Sequence, residues 1–187
     1  MFAKTMILLG TSMMLPAAAY AATLTIVGSN AEAHACYRAA EAAEYAAPGL
    51  EALDTCNRAL MSSELNYNDR VATLVNRGIV EFRLARFDQA MGDFDAVLAL
   101  EPNQPDALIN KGITVLASGG STDTALQLLD AGLAGTPRRP WVGYYGRAVA
   151  HELAGRDRQA YRDYKQAQEL KPGWALARQA LARFSVS

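Results

Sequence analysis

His151-Glu152 opens like the helical zinc-protease motif, in which two histidines four residues apart hold the metal and the glutamate between them serves as base. Gly155 stands where the second histidine would have to be. The other histidine, His34, lies far along the chain, so both imidazoles read as solvated or partly packed side chains rather than a ligand pair. Asp88, Asp93 and Asp95 crowd one segment, but they follow a helical spacing and lack the glycine turn and closing glutamate of a calcium loop. A nucleophile elbow, a phosphate-binding loop and a dinucleotide-binding glycine pattern are also absent from the sequence. The residues therefore predict no catalytic set, no metal site and no cofactor. The competing reading is an enzyme or metal-binding protein that draws on His34, His151 and nearby acids.

The elements around these residues follow a fixed recurrence. Ala90/Phe94/Pro102, Ala125/Leu129/Pro137 and Ala160/Tyr164/Pro172 repeat one pattern, each set 35 residues after the last. A period of this size marks stacked supersecondary units. Val71, Leu74, Val75, Ile79, Phe82 and Leu84 have helical spacing, and Ala90, Met91, Phe94, Val97, Leu98 and Leu100 repeat it after the Ala85-Arg86 turn. Pro102 stops the second helix because it cannot donate the next backbone bond and disfavours helix in the residue before it. Further helices are predicted over 105–118, 122–134, 140–154, 157–170 and 174–184, with Gly119-Gly120-Ser121 making one turn a residue longer than its counterparts.

These units resemble the tetratricopeptide repeat, a helix-turn-helix of about 34 residues. Leu74 and Gly78 match the large and small residues of its first helix, and Ala90, Phe94, Leu98 and Pro102 those of its second helix and terminator. Leu108, Gly112, Ala125, Leu129, Leu133 and Pro137 hold the same places in the next unit, then Tyr144, Ala148, Ala160, Tyr164 and Pro172; Gln168 and Gly132 depart from the pattern. The resemblance implies an all-α, right-handed superhelix of hairpins over 71–104, 105–139 and 141–174, with a divergent repeat at 33–66 and a capping helix and tail at 175–187. Small residues at Gly78 and Ala90 let two helices approach closely while Leu74 and Phe94 fill the gap. In this register Asp93 and Asp163 are equivalent, as are Arg77 and Arg147, which predicts salt bridges between paired helices.

Lys4, the short apolar run from Met6 to Ala19 and the small residues of Ala19-Tyr20-Ala21 read as a signal peptide over 1–21, cleaved after Ala21. The run is about 14 residues, shorter than a membrane span requires. Loss of Lys4 would leave 17 basic against 19 acidic side chains. A periplasmic or secreted location is expected. Residues 22–32 fit no helical pattern and read as a flexible leader. With a formal net charge of -1 the chain has no basic face for nucleic acid.

Two cysteines, Cys36 and Cys56, remain after the signal. An even count in an exported chain invites a disulfide, whereas the same pair in cytosol would be buried thiols. Extending the repeat register upstream puts them at matching large-residue sites on the two helices of the divergent unit, facing one another, which favours the bridge.

In this family the first helix of each hairpin lines the concave face, where peptides or partner helices commonly bind. Carried over, this implies a largely apolar groove of Val75, Asn76, Ile79, Phe82 and Arg83, then Asp106, Ile109, Asn110, Ile113 and Leu116, then Val142, Tyr145, Val149 and Glu152. Val75, Ile79 and Ile109 occupy places where the family's carboxylate-binding members need polar groups. Asn76 and Asn110 are suited either to bind peptide backbone or to satisfy neighbouring helices. The expectation is an exported, non-catalytic interaction module that holds a protein or peptide in this groove. Two arrangements compete with an open groove: cover by curvature or by the leader, and an architectural subunit that makes its contacts through its convex face or ends.

Overall fold

The computed structural model describes residues 2–4, 22–43 and 46–186. The signal-peptide reading falls almost wholly outside them. Nine helices stand among the described residues: α1 Ala31–Ala42, α2 Leu50–Met61, α3 Tyr67–Arg83, α4 Phe87–Leu100, α5 Pro105–Ala117, α6 Thr122–Ala134, α7 Pro140–Leu153, α8 Asp157–Leu170 and α9 Ala175–Leu181. Successive helices pair as antiparallel hairpins, and each hairpin stacks on the next. Two three-residue strands, β1 Phe2–Lys4 and β2 Phe184–Val186, pair antiparallel. The architecture is an all-helical superhelix of tetratricopeptide-type hairpins.

Each hairpin is held by the residues that define the period. Phe94, Leu129 and Tyr164 on the second helices are fully buried, as are Ala90, Ala125 and Ala160 one turn earlier. Gly78 faces Phe94 so closely that a Cβ there would lie 2.6 Å from the ring, and a Cβ at Gly112 would lie 2.9 Å from Leu129. The small residue on one helix makes room for the large one on the other. At the hairpin turns the chain must enter the left-handed region, at Ala85 (φ 58°), Gly119 (φ 76°) and Gly155 (φ 68°). Glycine adopts that conformation without strain. Four residues separate α5 from α6 against three between α3 and α4 and between α7 and α8, so the longer turn is present.

Helix α3 starts at Tyr67, four residues before the apolar period begins. Asn66 sets that start by accepting the Asp69 backbone N–H with its side chain, a capping contact that hydrophobic spacing does not register. The predicted ion pairs form as bidentate bonds. Arg77 donates to both oxygens of Asp93 (2.9 and 2.6 Å), and Arg147 to both of Asp163 (2.7 and 2.8 Å). Each guanidinium also reaches back to the preceding hairpin, Arg77 to Asn57 and Arg147 to Asp130. Lys111, at the same place in the middle unit, makes the backward contact to Asp95. These side chains staple both within and between repeats.

In the first hairpin Cys36 and Cys56 are joined by a disulfide, with Cα atoms 4.8 Å apart. Both are fully buried between α1 and α2.

Candidate functional site

The first helices of the three marked hairpins, α3, α5 and α7, present the residues assigned to the groove. Val75, Ile79, Phe82, Ile109, Ile113, Leu116, Val142, Tyr145 and Val149 are all buried, as are Asp106 and Glu152. Tyr145 packs edge-on against Tyr164 and Trp174, so it belongs to the core between α7, α8 and α9 as well as to this face. Glu152 accepts bonds from the Tyr164 hydroxyl (2.7 Å) and Arg183 (2.8 Å), tying the groove wall to the C-terminal segment. Arg83 is partly buried, and its Nε and Nη1 have no hydrogen-bond partner among the described residues. Burial pushes its pKa down.

The groove has an occupant. Residues 22–28 enter it as an extended segment, instead of hanging free as the sequence reading of a flexible leader expects. Asn110 grips Ala22 on both sides of its residue, its Oδ1 accepting the Ala22 N–H (3.2 Å) and its Nδ2 donating to the Ala22 carbonyl (3.2 Å). Asn76 does the same to Leu24 at 3.0 and 2.7 Å. An amide side chain is suited to this because it carries both a donor and an acceptor, the complement of one residue's backbone groups. Successive repeats thus read alternate residues of an extended chain, the spacing at which such a chain presents one face. Both asparagines thus bond backbone groups, and the backbone they bond is the chain's own leader.

Nearer the first hairpin a second set of bonds takes over. The Asp69 carboxylate accepts the backbone N–H groups of Val27 and Gly28, both at 2.8 Å. A Cβ at Gly28 would lie 2.1 Å from Asp69 Oδ2, so any other residue there would displace the Asp69 carboxylate from this position. His34 Nε2 bonds the Gly28 carbonyl at 2.7 Å. Arg138 donates to the Thr25 hydroxyl at 2.9 Å, while its backbone N–H is accepted by Asp106. Leu24 and Ile26 turn into the molecule, whereas Thr25 and Val27 face out, Val27 being 81% exposed.

Asp69, Gly28 and Arg138 are missing from the residues picked out by sequence. Asp69 follows a capping asparagine and reads as an ordinary first-turn acid. Its link to Gly28, 41 residues away, has no local signature.

Burial raises the Asp106 pKa to about 6, against the lowering effect of the Arg138 N–H, Gln104 and the nearby charges of Arg138 and Arg139. His151 has its pKa lowered, first by burial, and stands 3.9 Å from Asp163 Oδ2. His34 is engaged with the leader. Among the described residues no three His, Cys, Asp or Glu side chains are grouped to hold a metal ion.

No protein-family model and no curated protein matches the chain. Several solved structures share its fold, and two of them are of MamA. A crystal structure of MamA is 15% identical, with a TM-score of 0.57, over 83% of this chain and 82% of that one. A MamA RS-1 ArsTM double mutant is 21% identical, also at TM-score 0.57, over 82% of this chain and 83% of that one. The likeness establishes the helical-repeat superhelix over most of the chain.

Proposed function

We propose that the protein is an exported, non-catalytic interaction scaffold whose concave groove holds an extended polypeptide segment by its backbone. The two asparagine clamps carry this reading. A groove that grips N–H and C=O groups can hold any extended segment whose inward side chains suit the apolar lining. The fold supports protein partners, since stacked repeats expose a long continuous face of the kind used for contacts. The disulfide fits an oxidising compartment. None of the described helices is long and apolar enough to cross a membrane.

Crosslinking and co-purification from the cell envelope test the proposal. Partner crosslinks should map to the faces of α3, α5 and α7 and vanish when Asn76 and Asn110 are both replaced by alanine, while the variant keeps a cooperative melt. Capture that survives both substitutions would refute groove binding.

A second reading is favoured by the burial of the groove itself: an architectural subunit that makes its contacts elsewhere. Leu50 and Met61, at opposite ends of α2, are exposed apolar residues at one end of the superhelix. Crosslinks confined to second helices or α9 would support this reading over the first.

A further inference from the structure

The leader is held in two different ways. Its inner part, Ala22 to Leu24, is gripped by Asn110 and Asn76 through backbone groups that nearly every residue type possesses. Nothing in those bonds requires this particular sequence. Its outer part also gives backbone groups to Asp69 and His34, but it adds two demands on residue type: no Cβ at Gly28, which would lie 2.1 Å from Asp69 Oδ2, and a hydroxyl at Thr25 for Arg138. The outer contacts form a latch, and the inner ones are available to any extended segment.

The inner fit is also imperfect. Thr23 is 3% exposed, and its hydroxyl is buried with no hydrogen-bond partner among the described residues. Burying a hydroxyl without a partner is unfavourable, and valine has the same shape without that cost. The leader is therefore a weaker occupant than the groove could accept. It wins by attachment: Ser29 and Asn30 alone separate Gly28 from helix α1, so its local concentration at the groove is high.

We infer that residues 22–28 are a displaceable ligand in cis, a gate that keeps the groove closed to an extended segment of another polypeptide. That segment has small or apolar side chains at the places of Ala22, Leu24 and Ile26 and no hydroxyl at the place of Thr23. The inference rests on the groove reading proposed above and adds to it the chemistry of the ligand and the means of control. Loosening the Gly28 latch opens the site.

The probe is a fluorescein-labelled heptapeptide with the sequence of residues 22–28, titrated by anisotropy into the chain carrying its leader. Gly28→Ala forces the latch apart without touching the groove. It should bind the probe at least about tenfold more tightly than the unsubstituted chain. A probe with valine in the Thr23 place should bind the Gly28→Ala chain roughly fivefold more tightly than the parent probe, as removal of one unpaired buried hydroxyl requires. Equal affinity of the unsubstituted and Gly28→Ala chains would overturn the gate, as would no gain from valine. A folded chain lacking residues 22–28 that fails to bind the probe would overturn it too. This assay needs no natural partner. Failed co-purification beside a clear Gly28→Ala gain would sink the proposed scaffold function alone; loss of co-purification in the asparagine variants without that gain would sink the gate alone.

Discussion

Asp106 shows how one side chain can serve the site at a cost to stability. Its carboxylate accepts the Arg138 N–H and so fixes the residue that holds Thr25, yet burial raises its pKa to about 6 from an ordinary 3.8. Because the folded pKa is the higher one, the folded chain binds more protons than the unfolded chain between those values. Stability is therefore lost as pH rises through that window. Asp106→Asn keeps an oxygen for the Arg138 N–H but cannot ionise. Its melting temperature should gain on that of the unsubstituted chain as pH rises from about 4 to about 7; a constant difference would show that Asp106 ionises in the fold as it does in water.

At the scale of elements, the first hairpin differs from the other three in its means of support. It has a neighbour on one side only, and α1 and α2 are short helices of 12 residues each. The disulfide between Cys36 and Cys56 spans 20 residues, which in the chain-entropy model corresponds to roughly 3 kcal/mol. Replacing both cysteines by serine should lower unfolding stability by about that amount, with faster amide exchange in α1 and α2 than in α5 to α8. Uniform exchange across the chain would mean that the bridge is redundant. Non-reduced peptide mapping of the protein should recover Cys36 joined to Cys56. The first hairpin also has a bidentate Arg58–Glu32 pair between its two helices, while each following hairpin is in addition fixed to the preceding unit by a basic side chain from its own first helix.

At the scale of the whole molecule, the leader touches three hairpins, through α5, α3 and α1. A ligand that binds only the folded state stabilises it by mass action, whether or not it is tethered. A chain lacking residues 22–28 should melt at a lower temperature, and the free heptapeptide should restore stability, by about 2.7 kcal/mol at a hundredfold excess over its Kd. Failure of the free peptide to raise the melting temperature of the leaderless chain would mean that the segment acts as a strut and not as a ligand.

The sequence by itself determined the repeat: small and large residues at Gly78, Phe94 and their equivalents fit closely packed hairpins, and Pro102, Pro137 and Pro172 after α4, α6 and α8 set the period. It also determined the disulfide register and the Arg77–Asp93 and Arg147–Asp163 pairs, because all three follow from positions within one hairpin. Contacts of that kind are local and recur with the repeat. The groove's occupant was decided only by tertiary structure. Residues 22–28 carry no helical period, and their partners Asp69, Asn76, Asn110 and Arg138 lie 41 to 113 residues away. Backbone groups are the same in every residue, so a segment recognised through them leaves little mark in the side-chain pattern. Stacking α3 and α5 side by side sets Asn76 and Asn110 in line and gives such a segment a place to bind.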